Sequence, residues 1–277
     1  MWSIWCQKSF YKPTTNENDV AKRPRKHLVI PDTQIKPGVP LDHIKWIAQY
    51  AIDKKPDVLV LIGDWADMAS LSSYDVGKKC YEGRAYAKDI EVSNDALSML
   101  MSPIDAEIAR LKHGHRTHWE LQREYRRGNH EHRIVLAVEN DRKLDGLMSV
   151  DHLVFKEFGF NVLPFLQVGV VDGVAYSHYF VSGVMGRPIT TARALLLKQH
   201  MSCFAGHQQG RDIAYAKRAD GTRMTAIIAG SCYRHDESYL DPQSNQAWKG
   251  VYLLNEVEDG QFDEMPVSLR FLQEKYG

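Results

Sequence analysis

Residues 27–67 narrow most sharply what this chain can fold into. The stretch "HLVIP" (27–31) is a short apolar run that stops at the polar "DTQ", the pattern of a buried strand delivering side chains from its carboxyl end. "PLDHIKWIAQYAIDKKP" then sets Ile44, Ile47, Ala48 and Ala51 at helical spacing and closes at Pro56. "DVLVLIGDWAD" is a second buried strand, ending at Gly63 and Asp64. Strand, helix and strand at this spacing make a βαβ unit, and a βαβ unit implies a parallel sheet. Ligands of such sheets bind beyond the carboxyl ends of the strands, where Asp32 and Asp64 both fall.

Downstream, 68–88 has no clear period and reads as an insertion at that same edge, carrying Tyr74, Tyr81 and Tyr86 in the position of a substrate lid. A long helix is predicted from about Asp89 to His113, with Ala96, Leu97, Leu100, Met101, Ile104, Ile108 and Leu111 on one face. "HWELQREYRRGNHEHR" reads as a strand running into the polar cluster Asn129, His130, Glu131 and His132. The second half turns β-rich. A hairpin signal at Asp172-Gly173 precedes a strand ending at Ser177-His178, a helix follows in "RPITTARALLLKQH", and "MSCFAGHQQG" is a strand leading to His207. Two further β segments, around the Asp220-Gly221 turn and in "KGVYLLNEVEDGQF", complete one α/β domain (27–277) in which two mixed sheets face each other, preceded by an N-terminal extension (1–26).

At 277 residues and 44% hydrophobic content the chain can bury a substantial core. Lysine plus arginine (35) equals aspartate plus glutamate (35), so no net field draws the molecule to a polyanion or an anionic membrane. The four cysteines are scattered without a C-x-x-C pair, which argues against a zinc knuckle or disulfide framework and fits a cytoplasmic setting. No run approaches the roughly 18–20 apolar residues of a membrane helix, and the N-terminus lacks a secretory h-region.

The polar residues at predicted strand ends are Asp32 and Gln34, Asp64 and Asp67, Asn129 and His130, His178, and His207 with Gln209. Oxygen and imidazole donors in this mixture suit Mn²⁺, Fe or Zn²⁺ rather than a thiolate centre. Taken singly, such an aspartate more often caps a helix and such a histidine is more often a satisfied core group. Their order, D-x-Q, G-D-x-x-D, G-N-H-E, an isolated His and G-H-x-Q, resembles the calcineurin-like metallophosphoesterases, whose pattern is D-x-H, G-D-x-x-D, G-N-H-[DE], H and G-H-x-H. The matched motifs span Asp32 to Gln209, and the tone of "PDTQIKPG" and "SHYF" is most similar to bacteriophage-encoded versions, which would place the protein in a host cytoplasm.

The resemblance implies a four-layer α/β/β/α sandwich and a dinuclear centre. Asp64 would bridge two divalent ions, with Asn129, His178 and His207 completing the second site and Asp32 belonging to the first. Where the family has histidines at the first site, this chain has Gln34 and Gln209. An amide oxygen is a harder and weaker donor than imidazole, so the first site is expected to hold its ion less tightly and to favour Mn²⁺ or Mg²⁺ over Zn²⁺, with Fe, Ni or Co as other occupants. His132 or His235 is an alternative source of nitrogen. The implied reaction is attack on phosphorus by a hydroxide bridging ions about 3.5–4 Å apart. His130, oriented by Asp67, would lie with Asn129 over the phosphate and protonate the leaving alkoxide, while Glu131 braces the following helix.

The reading that follows is a phosphodiesterase of small diesters or nucleotides. A nuclease is the alternative, drawing on "REYRR" and "KRPRK" as a local basic track, and a non-catalytic scaffold with a decayed first site is the third. "HGHRTH" (His113, His115, His118) reads as a solvated helix end rather than a metal site, and the stretch from Gly230 to Tyr239 as part of the active-site rim.

Overall fold

The apolar run at 27–31 forms strand β1 (Arg25–Ile30), whose side chains alternate between two separate cores. Leu28 and Ile30 face helices, whereas Val29 faces a second sheet. Strand β2 (Val58–Leu61) repeats the division, Leu59 and Leu61 to the helices and Val58 and Val60 to the sheet. A strand apolar on both faces is what a sandwiched parallel sheet requires. The computed structural model describes residues 23–73, 77, 82–114, 118–237 and 240–277.

Helix α1 (Asp42–Lys54) joins β1 to β2 and buries Ile44, Ile47, Ala48 and Ala51, then stops at Lys55 in a left-handed conformation just before Pro56. Helix α2 (Tyr86–His113), strand β3 (Gln122–Arg126), helix α3 (Asn129–Asn140) and strand β4 (Asn161–Leu163) follow. Next come β5 (Gly169–Val171), β6 (Val174–Ser177), the short pair β7 (Val181–Ser182) and β8 (Arg187–Pro188), α4 (Ala192–Gln199) and β9 (Cys203–Ala205). Strands β10 (Arg211–Lys217), β11 (Arg223–Ala229), β12 (Gly250–Glu258) and β13 (Gln261–Ser268) and helix α5 (Leu269–Tyr276) complete the described chain.

One sheet has the order β13-β12-β1-β2-β3-β4, the other β10-β11-β9-β6-β5. In the first, β1 through β4 are parallel and the last hairpin adds antiparallel to β1; in the second, β6, β9 and β11 are parallel and flanked by antiparallel edges. The three cores define the layers. Residues of α1, α2 and α5 cover the outer face of the first sheet, Val29, Val60, Tyr176, Phe204 and Ile227 meet between the sheets, and Ala192, Leu195 and Leu196 of α4 cover Cys203, Ala226 and Ile228 on the far side. This is an α/β sandwich of layers α/β/β/α.

Three sequence expectations meet the described residues. Strand β1 begins at Arg25, so the predicted extension is shorter than 26 residues, and its residues 1–22 lie outside those described. Of the predicted lid, Tyr74 and Tyr81 also lie outside them, while both ends are anchored: Met68 is fully buried, and the Tyr86 hydroxyl donates to the Ser149 carbonyl at 3.1 Å. Four arginines of the two basic runs are held in ion pairs. Arg126 is buried against Glu124 (2.8 Å), Arg123 pairs with Asp105, Arg23 with Asp57, and Arg25 with Asp172 at 2.9 Å. Among the described residues no helix is long and apolar enough to cross a membrane.

Candidate metal centre

The parallel strands of both sheets end at one place. Asp32 follows β1, Asp64 follows β2, Asn129 follows β3, His178 follows β6 and His207 follows β9. One ligand atom each of Asp64, His178 and His207 lies within 4.8 Å of the others. Asn129 joins them, its Oδ1 lying 2.9 Å from His178 Nε2, with Asp64 Oδ2 3.2 Å from the same nitrogen. His178 Nδ1 donates to the Ile62 carbonyl at 3.0 Å, which fixes the ring and leaves Nε2 to face the oxygens. That backbone bond is the usual orienting partner of a metal-ligating histidine.

The backbone is strained where these side chains are presented. Gln34 (φ 47°), Asp64 (φ 49°), His207 (φ 70°) and Gln209 (φ 54°) all adopt the left-handed conformation that non-glycine residues rarely occupy. Hydrogen bonds hold them there: the N–H groups of Thr33 and Gln34 donate to the Asp64 carbonyl at 3.1 and 2.9 Å, tying the loop after β1 to the loop after β2. Glu131 does the same for β2 and β3. Its fully buried carboxylate accepts from the N–H of Asp64 (3.1 Å), Ala66 (2.8 Å) and Gly128 (2.7 Å), so it braces α3 as expected and also locks the Asp64 loop.

Two glycines are required by close approach. A Cβ on Gly63 (φ 99°) would stand 2.6 Å from His178 Nδ1, and one on Gly128 would stand 2.0 Å from Asp64 Oδ1. Only hydrogen fits at either position.

Electrostatics favour a cation. Asp32 and Asp64 are both buried, and burial raises the Asp32 carboxyl above its ordinary range. Burial acts to lower His178, but the adjacent Asp64 carboxylate outweighs it and pushes the imidazole up to about 9. Asp64 itself is held low, because the charges of His130 and His178 outweigh its burial. Without an ion, His178 would hold a proton where two oxygens converge; a bound ion replaces that proton. His207 is pushed down to about 4 by burial and by the charge of His178, so its ring is neutral and ready to coordinate.

The first-site residues are placed differently. Asp32 accepts from the His207 N–H at 3.1 and 2.9 Å through its two oxygens. Gln34 is fully buried with Nε2 3.4 Å from Asp64 Oδ2, and its Oε1 has no hydrogen-bond partner among the described residues. A buried amide oxygen without a partner, on a side chain that reaches the Asp64 carboxylate, is the kind of atom an ion satisfies. Gln209 Oε1 accepts from the Tyr233 hydroxyl at 2.6 Å. The donor set and the unpartnered amide therefore fit divalent ions. Neither alternative histidine is part of the Asp64, His178 and His207 cluster: the His132 ring packs against Phe165 with centres 5.0 Å apart, and His235 Nε2 pairs with Glu237 at 2.6 Å. His113 and His118 sit exposed at the end of α2 and beyond it, and His115 lies outside the described residues.

Around the cluster, His130 Nδ1 donates to Asp67, 2.8 Å from Oδ1 and 3.0 Å from the backbone oxygen. Its Nε2 lies 3.7 Å from Asp64 Oδ2. Sequence reasoning missed two cations here. Arg133 lies 3.2 Å from His130 Nε2 and donates to the Asp67 carbonyl at 2.8 Å, and Lys36 bridges Asp67 (3.0 Å) and Glu237 (2.6 Å). Arg133 was findable, since three residues past His130 on a helix shares its face. Lys36 and Tyr233 meet the site only through long-range folding.

No protein-family model matches the sequence, and no curated protein matches it. Solved structures that match over most of the chain include a dimetal phosphatase from Danio rerio, at 11% identity, covering 90% of this chain and 100% of that one, with a TM-score of 0.41. Another is the protein TT1561 of Thermus thermophilus, at 10% identity, covering 88% of this chain and 99% of that one, with a TM-score of 0.32.

Proposed function

We propose that the chain is a divalent-metal-dependent phosphoesterase that hydrolyses small phosphodiesters or nucleotides. The observation that carries this reading is the convergence of Asp64, His178 and His207 donor atoms within 4.8 Å at the strand ends. Asp64, Asn129, His178 and His207 would hold the tighter ion, and Asp32, Gln34 and Gln209 with Asp64 the weaker one, with Mn²⁺ or Mg²⁺ preferred by the amide oxygens. Ions there supply Lewis-acid polarisation of the phosphoryl oxygens and acidify water to a nucleophile at neutral pH.

The chain's own groups do the rest. His130 is held by Asp67 through Nδ1, leaving Nε2 to face the ester. Burial acts to lower its pKa, but Asp64 and Asp67 outweigh it and raise the group; with Nδ1 tied to Asp67, Nε2 is the nitrogen placed to protonate the departing alkoxide. Arg133 Nη2 lies 3.2 Å from that nitrogen, which places a guanidinium where it can donate to a phosphoryl oxygen. Lys36 and Arg133 are already engaged with Asp67 or Glu237, and this partial neutralisation suits the single charge of a diester. The ion pairs of Arg23, Arg25, Arg123 and Arg126 disfavour an extended duplex as substrate. Two buried free thiols, Cys203 and Cys232, fit a reducing cytoplasmic setting.

His130→Ala is expected to keep its Mn²⁺ and lose about 10²–10⁴-fold in turnover, most for esters of weakly acidic alcohols. Metal content by mass spectrometry beside turnover checks this; full turnover in the variant would remove His130 from the mechanism.

A further inference from the structure

Beside the metal cluster stand Tyr179 and Phe165, aromatic rings that the proposed chemistry does not use. His207, Tyr179, Phe165 and His132 form a continuous row in which neighbouring ring centres lie 4.7, 5.4 and 5.0 Å apart, and all four side chains are half-buried. The Phe165 ring centre lies 6.3 Å from that of His178. The row thus starts at one candidate ion ligand, His207, and passes around another, His178, before reaching His132.

The backbone presents Phe165 at a cost. It sits in a tight turn closed by the Gln167 N–H donating to the Pro164 carbonyl at 3.0 Å, with Leu166 in the left-handed conformation at φ 67°. A leucine is ill suited to that conformation, and Leu166 and Val168 are both exposed, so the turn is not folded to bury its own apolar residues.

Resting on the phosphoesterase reading, we propose that Phe165 and Tyr179 form a stacking subsite for a nucleobase of the substrate. Half-exposed aromatic faces next to a phosphoester site are stacking platforms, tolerant of base identity because every base has a π-face. A nucleobase stands one sugar away from its phosphate, and the Tyr179 and Phe165 ring centres stand 5.9 and 6.3 Å from that of the candidate ligand His178. The ion pairs that hold Arg23, Arg25, Arg123 and Arg126 match a mononucleotide or dinucleotide better than a long strand.

The test is calorimetric binding, to Mn²⁺-loaded protein, of a thymidine dinucleotide with a hydrolysis-resistant methylenephosphonate linkage, beside the same compound lacking both bases. Wild type is expected to bind the base-bearing ligand roughly tenfold more tightly. Phe165→Ala should lose that preference and leave the abasic ligand unchanged, Phe165→Trp should restore it, and metal content should be equal in all three proteins. Equal or undetectable binding of the two ligands by wild type overturns the subsite, as does a Phe165→Ala protein that weakens for both alike. Selective binding of the base-bearing ligand by a protein that hydrolyses no phosphoester would keep the subsite and remove the phosphoesterase reading. Hydrolysis of bis(p-nitrophenyl) phosphate without base preference in binding would do the reverse.

Discussion

Asp64→Asn is expected to abolish hydrolysis and to leave the protein without tightly held divalent metal. Asp64 is buried, and among the described residues it is the one carboxylate whose oxygens reach both His178 Nε2 (3.2 Å) and His130 Nε2 (3.7 Å). Its other oxygen accepts the His130 N–H at 3.0 Å, at the amino end of α3, where the helix dipole favours an anion. An amide keeps the shape and removes the charge. An ion facing neutral donors only, with the anionic Asp32 tied to the His207 N–H, loses most of its attraction, and a turnover loss above about 10³-fold follows. Metal content and turnover of the purified variant check this together. An Asp64→Asn protein that retains stoichiometric metal would show that the ion, if any, sits elsewhere.

Gly128→Ala is the second large effect, and it acts through packing. The added methyl would meet Asp64 Oδ1 at 2.0 Å and Asp64 N at 2.3 Å. Neither atom is free to retreat: Asp64 N donates to Glu131 at 3.1 Å, and Oδ1 accepts from His130. The methyl must therefore push α3 away from the β2 loop, which costs about 3 kcal/mol or more. It also separates Asn129 from His178, so metal affinity falls with stability. Urea denaturation with a midpoint equal to wild type, together with unchanged metal affinity, would contradict the packing described.

Much of this centre was legible in the sequence because it lies where local pattern is strong. An apolar run ending in Asp32-Thr33-Gln34, a helical period, and a second run ending in Gly63-Asp64 leave little choice but a βαβ unit with its polar residues at one edge. The glycines of "GDWAD" and "GNHE" prove to be steric requirements at Asp64 and His178. What stayed hidden is long-range. Nothing in "KGVYLLNEVEDGQF" says that β12 crosses back to lie antiparallel beside β1, or that β13 is followed by α5, because register between distant strands is set by packing. "REYRR" looks like a basic patch until β3 turns Arg126 inward against Glu124. Tyr233 reaches Gln209 from 24 residues away, and Phe165 reaches His132 across the opposite loop, contacts that no spacing rule announces.

The central claim, a divalent-metal centre that cleaves phosphoesters, is tested most directly by hydrolysis of bis(p-nitrophenyl) phosphate by metal-stripped protein, with and without added Mn²⁺, beside the corresponding monoester. The account predicts no activity in the stripped protein, recovery with Mn²⁺, and preference for the diester. No hydrolysis of either ester with Mn²⁺, Mg²⁺, Fe²⁺, Co²⁺, Ni²⁺ or Zn²⁺ would contradict it.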